Sequence, residues 1–170
     1  MTKLVTKSDI RMYSQLSTNT DEKLVNLFIE DCQLVDLKPL LGELLYQDMI
    51  DNISTQPYQD LLNGVAYTYD GNSYYSDGIK PVLSKFVYGR YLLTSSNVDT
   101  GFGMVQKRDQ NSTASDFEMK KTLNKLYYQQ GYEYFKSVRN YLDRHATTYP
   151  LWDNDCSVST QRTFKINKIV

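Results

Sequence analysis

Two cysteines and one histidine are all that 170 residues offer of the Cys and His side chains that most often staple or metallate small folds. Cys32 and Cys156 lie far apart and form no CxxC pair, so neither a disulfide framework nor a redox motif is legible. The expectation is two reduced thiols in a chain made in a cytoplasm. His145 has no HxxxH or HExxH partner, whereas a zinc site needs three or four ligands, so no metal is expected. Net charge is scarce as well. Nineteen basic against 20 acidic residues leave −1, which provides no positive field to gather phosphates and excludes an electrostatic polyanion binder. No apolar run approaches the roughly 18 residues of a membrane helix. Met1–Thr6 carries a lysine but no apolar signal-peptide core, so no membrane association is expected.

What is present is an ordinary globular mixture, 41% hydrophobic and 23% charged, at a length typical of one domain. Tyrosine is the exception, with 15 copies against six phenylalanines. Its ring gives large contact area with a polar tip, suited to half-buried surfaces and interfaces as much as to a core.

The periodicity reads as mainly α. Ser8-Asp9 can cap a short helix running to about Leu16, and Ser17–Thr20 breaks it. A second helix opens at Asp21-Glu22 and carries Leu24, Leu27, Phe28, Cys32 and Val35 at spacings of three and four, the pattern of one buried face. Cys32 is therefore a core residue. Pro39 can start a third helix through Ile53, with Gly42 inside it, and a short fourth runs from Tyr58 to Leu62. At Gly64 the period changes. Val65–Tyr69 and Asn72–Tyr75 flank Asp70-Gly71, a type I′ turn pair, and predict a β-hairpin over 65–76. A fifth helix follows Ile79-Lys80-Pro81 to about Asn97.

Residues 98–115 read as a long polar loop whose centre, Gly103–Arg108, is extended and suited to pairing with a partner strand. Ser115-x-x-Glu118 matches a capping box for the longest helix, about Asp116 to His145, with Leu123, Tyr127, Tyr134, Val138 and Tyr141 on the face expected inside. Tyr149-Pro150 forbids its continuation. Residues 1–152 thus form the helical domain. Residues 153–170 are an extended C-terminal arm, polar at first and apolar at Phe164, Ile166, Ile169 and Val170.

Catalytic motifs are missing. There is no GxSxG, no phosphate-binding GxxxxGK[ST] and no dinucleotide loop, and Gly101-Phe102-Gly103 lacks the strand–helix context. Glu30-Asp31 and the nearby Asp153 and Asp155 read as solvated surface, and Lys107-Arg108 and Lys120-Lys121 are too diluted by acids for a nucleic-acid patch. No enzyme activity and no cofactor are expected.

The order of segments carries a resemblance. A short helix and an amphipathic helix lead into Leu37-Lys38-Pro39-Leu40-Leu41-Gly42-Glu43-Leu44-Leu45-Tyr46; then come Gly103-Met104-Val105-Gln106-Lys107 and a long helix closed by Tyr149-Pro150-Leu151-Trp152. Over about Lys7 to Trp152 this resembles the small helical head–tail connector (adaptor or head-completion) proteins of tailed bacteriophages, nearest to those of Bacteroidetes phages, including crAss-like phage ring proteins. The resemblance implies a virion protein at the head–tail junction that assembles as a homo-oligomeric ring, commonly twelvefold. Such a ring lies below the portal protein, extends a channel through which DNA passes without specific binding, and docks the tail or further ring proteins. The residues expected at partner contacts are Tyr67, Tyr69, Tyr74 and Tyr75 of the hairpin, Met104, Val105 and Lys107 of the loop, and Phe164, Ile166, Ile169 and Val170 of the arm. The competing expectation is a phage-encoded, non-enzymatic protein that binds and inhibits a host protein.

Overall fold

The computed structural model describes residues 2–95, 97–100, 103–106 and 117–152, the two four-residue stretches as backbone only. Among these the protein is mainly α, with six helices of seven residues or more and two antiparallel β-hairpins. Helix α1 (Lys7–Tyr13) is capped by Thr6, not by Ser8-Asp9, and ends at an extended Ser14, short of Leu16. The Thr6 hydroxyl accepts from the Asp9 N–H and the Asp9 carboxylate accepts from the Thr6 N–H, a reciprocal capping box. Lys80 adds an ion pair to Asp9 at 3.0 Å. Burial works against the Asp9 charge, but the Thr6 donors and Lys80 outweigh it and hold the carboxyl below its usual range.

Helix α2 (Glu22–Cys32) buries Val25, Phe28, Ile29 and Cys32. Phe28 and Cys32 point inward as the stripe predicts, whereas Leu27 and Val35 are exposed. Leu27 falls outside the Val25–Phe28–Ile29–Cys32 face of the regular helix; for Val35 the cause is a π-helical turn, Gln33–Leu37, in which the Lys38 N–H bonds the Gln33 carbonyl five residues back. At 3.6 residues per turn Leu37 would stand about 140° round the axis from Cys32. The wider turn returns Leu37 to the core and swings Val35 outward, beside a Leu34 that faces away from Cys32 in either geometry. It also carries Gln33 inside, where its Oε1 accepts from the Leu4 N–H at 2.8 Å and its Nε2 donates to the Thr2 carbonyl at 3.1 Å. That pair ties the N-terminal segment, with Leu4 and Val5 buried, onto the bundle.

The expected third helix is two. Gly42 adopts φ +80°, so it separates a short α3 (Lys38–Leu41) from α4 (Glu43–Asp51) rather than sitting within one helix, and Leu44 is left exposed. Helix α5 (Gln56–Asn63) starts with Pro57 in its first turn. Strands β1 (Val65–Tyr69) and β2 (Asn72–Ser76) then pair antiparallel, Tyr67 opposite Tyr74, with Asp70 and Gly71 both at positive φ as a type I′ turn requires. At the hairpin's base Gly64 (φ +88°) and Gly78 (φ +79°) pass backbone against backbone. A Cβ on Gly64 would lie 2.5 Å from the Ser76 carbonyl oxygen, and one on Gly78 would overlap the Gly64 nitrogen.

Helix α6 (Ile79–Thr94) is the centre of the fold. Its first eleven residues are buried on nearly every side because α1, α2, α5 and α7 surround it. Helix α7 (Phe117–Arg144) lies along it, with Gly131, Phe135, Val138, Tyr141 and Leu142 buried and Tyr127 and Tyr134 half-buried against the same core. The predicted inner face of α7 thus packs within the chain from Tyr127 onward, and Leu123 is left only half-buried outside that core. The close approach depends on Gly131, where a Cβ would stand 2.5 Å from the Phe86 ring. The long loop 98–115 is not structureless. Strands β3 (Asn97–Thr100) and β4 (Gly103–Gln106) form a second hairpin, so one edge of the segment expected to pair with a partner is already paired with its own chain. Ser115 of the expected capping box, Cys156 and the arm 153–170 lie outside the described residues.

Candidate interaction surfaces

The tyrosine-rich hairpin is clamped at its inner face. Tyr67 and Tyr74 stack at 5.6 Å between centroids, and Tyr67 meets Tyr141 and His145 of the α7 end edge-on. Arg144, in the last turn of α7, lies 3.8 Å above the Tyr74 ring and 5.3 Å from that of Tyr69, and its Nη1 donates to the Tyr67 hydroxyl at 2.8 Å. A cation there complements the negative end of the helix dipole as well as three ring faces. Behind this clamp Tyr149 donates to the Pro57 carbonyl at 2.5 Å, and Tyr58 donates to the Asp48 carboxylate. Much of the tyrosine surplus is therefore internal, and the hydroxyls of Tyr58, Tyr67 and Tyr149 find hydrogen-bond partners at the edge of the core.

Of the four hairpin tyrosines expected at a partner contact, the structure uses Tyr67 and Tyr74 to hold the hairpin to α7. Tyr69 and Tyr75 stay open, 47% and 62% exposed. Met104 and Val105 lie in β4, away from that hairpin in sequence and in a separate sheet. Lys107, Phe164, Ile166, Ile169 and Val170 fall outside the described residues.

A second polar node was not anticipated. Arg90 of α6 donates to the Asp36 carboxylate at 2.8 Å, and the Tyr128 hydroxyl of α7 donates to the same oxygen at 3.1 Å while accepting from Arg90 Nε at 3.3 Å. The π-helical turn presents Asp36 to this site, linking three elements. Burial first, then the neighbouring Cys32 and Asp36, push the Tyr128 hydroxyl up, so it remains a donor at neutral pH. Burial likewise raises the Cys32 thiol well above its ordinary value, with Asp36 adding to the effect. Cys32 is fully buried and should resist thiol reagents until the protein unfolds. Labelling of native protein is expected to modify Cys156 first, and rapid modification of Cys32 contradicts this packing. The one sequence signal for the node is Arg90 itself, a charge between the apolar Val87, Tyr88, Tyr91 and Leu92.

Concave space offers less. An open groove of about 680 Å³ between α6 and α7 is lined by Asp77, Lys85, Gln129, Gln130, Glu133 and Tyr134. Its Asp77 carboxylate already accepts from the Ser137 hydroxyl at 2.6 Å, and Lys85 lies 5.3 Å from the Tyr127 ring centroid. No cluster of three metal-ligating side chains occurs among the described residues, and no described helix is long and apolar enough to cross a membrane.

Convex apolar surface offers more. Leu27, Leu34 and Val35, on the outer side of α2 and the π-helical turn, are 54%, 47% and 61% exposed. Phe117, Met119 and Leu126 of the first turns of α7 are exposed too. Neither group contributes to the core, which closes among the described residues without them.

Fold and surface together define a mainly α-helical bundle with a small β-hairpin insertion and apolar side chains left outside its core. The chain belongs to the family described as "Family of unknown function (DUF6712)", whose model matches residues 37–162, about three quarters of its length and both hairpins. No curated protein and no solved structure matches it.

Proposed function

We propose that the protein is a structural virion component, the subunit of a ring between the portal and the tail of a bacteriophage that extends the DNA channel and docks the tail. The reading begins with the resemblance of the Leu37–Tyr46, Gly103–Lys107 and Tyr149–Trp152 segments to head–tail connectors. The observation that carries it further is the exposed apolar surface on two different elements, α2 with its π-helical turn and the start of α7. A closed ring is built from a heterologous contact, which requires two distinct patches on every subunit. A net charge of −1 suits a channel that passes DNA without gripping it, because each phosphate contact would slow transit.

The competing reading, an inhibitor of a host protein, needs one patch and no self-association. Co-expression with the portal protein of the same phage separates the two. The expected result is a stable complex in which this chain outnumbers or equals the portal subunits. A chain that ignores the portal and remains monomeric overturns the connector reading.

A further inference from the structure

We propose that the outer face of α2 and the π-helical turn is the docking surface for the C-terminal segment 162–170 of a neighbouring copy. The second copy rests on the ring reading above; the surface and the segment are argued independently of it. The surface is an apolar row with acids beside it. Leu27 and Leu34 stand seven residues apart, Val35 follows, and Glu30 and Asp31 lie three and four residues after Leu27, flanking it on the helix. Across Glu22–Leu37 there are four acids, Glu22, Glu30, Asp31 and Asp36, and a single lysine, Lys23. Asp36 is consumed by Arg90 and Tyr128, whereas Asp31 is only 4.0 Å from an Arg90 nitrogen and keeps half its side chain in water. Glu30 shares a solvent-exposed pair with Lys3 at 3.5 Å.

Two copies of this face cannot meet each other well, since pairing would bring like acids together. An apolar occupant with some positive charge fits this face best, because the exposed pairings of Glu30 with Lys3 and of Asp31 with Arg90 are long, at 3.5 and 4.0 Å. Residues 162–170 are both: Phe164, Ile166, Ile169 and Val170 alternate or cluster with Arg162, Lys165 and Lys168, and there is no acid. The length also fits. Trp152 is the last described residue, and the nine residues from 153 to 161 that precede the segment span up to about 30–32 Å when extended, close to three times the roughly 10–12 Å diameter of a helix. The arm therefore supplies a donor and α2 an acceptor, two different patches that a heterologous contact joins into a ring; a two-fold exchange of arms would instead stop at the dimer.

The test is cross-linking in the full chain with Cys156→Ser as background and Val35→Cys combined with Ile169→Cys. Both sites avoid the described core, so the fold is expected to persist, and helicity by circular dichroism checks that it does. Under mild oxidation the proposal predicts a ladder of covalent dimers and higher multimers on a non-reducing gel. A monomer-sized band shifted by an internal disulfide places the arm on its own subunit and overturns the proposal. Absence of any such bond in a sample that sediments as a ring does so too, while leaving the ring reading intact. A monomeric wild type overturns the ring reading and with it the second copy as occupant. Charge reversal supplies the specificity control. R162E/K165E/K168E should cut the multimer yield several-fold, and adding E30K/D31K should restore it; unchanged yield overturns the electrostatic match.

Discussion

Gly78→Ala is expected to destabilise the protein by at least about 3 kcal/mol, a large share of the 5–15 kcal/mol that holds a domain of this size together. Two costs combine. A side chain at φ +79° and ψ 177° would occupy a region essentially reserved to glycine, at a cost of about 1–3 kcal/mol. The new methyl also overlaps the backbone of Asn63 and Gly64, atoms that cannot rotate away as a flexible side chain can. Gly71→Ala is the internal control: its φ is +73°, but nothing lies within 4 Å of the added Cβ, so it carries only the cost of a positive φ. Urea denaturation followed by circular dichroism should therefore rank the variants wild type, Gly71→Ala, Gly78→Ala. Equal midpoints for the two variants would show that the base of the hairpin is looser than the contact between Gly64 and Gly78 implies.

Deleting residues 160–170 is expected to have the opposite signature, leaving the bundle intact and abolishing assembly. The described core runs from Leu4 to Tyr149 and is closed by α6 and α7, so helicity and thermal midpoint should stay close to the wild type. What the deletion removes is four apolar side chains, each worth about 1.5–3 kcal/mol when fully buried, which on a ring subunit are spent on a neighbour or the portal. Sedimentation of the truncated chain should show a monomer. If the truncated protein unfolds, the arm belongs to its own core and the assembly account is wrong.

The parts of this fold that were legible are those where local chemistry and tertiary packing agree. Asp70-Gly71 between alternating aromatic stretches has one low-energy solution, and it is the hairpin observed. The face of α7 through Tyr127, Tyr134, Val138 and Tyr141 packs as its spacing demands, while Leu123, nearer the start of the helix, is not among the side chains packed on the core. The illegible parts are those where backbone geometry departs from 3.6 residues per turn. Nothing in Gln33–Leu37 announces a π-helical turn, yet that turn decides that Leu37 is core and that Val35 is surface. Gly42 has the composition of an interior helix position and the conformation of a break, because only its φ of +80° lets α4 leave α3 at an angle. For the site, the tyrosines of the hairpin were visible but their division was not. Strand alternation puts Tyr67, Tyr69 and Tyr74 on one face and Tyr75 on the other, and only the position of Arg144, 70 residues on from Tyr74, says which face is inside. The Asp36–Arg90–Tyr128 node depends on three separate elements meeting, which no local pattern encodes.

The central claim is that this chain is made to associate with copies of itself around a channel, and native mass measurement of the purified full-length protein tests it most directly. The account predicts a single closed species at a fixed multiple of the 19.8 kDa chain, about 240 kDa if the ring is twelvefold, that falls to the monomer when residues 160–170 are removed. A wild-type protein that stays at 19.8 kDa as its concentration is raised contradicts it.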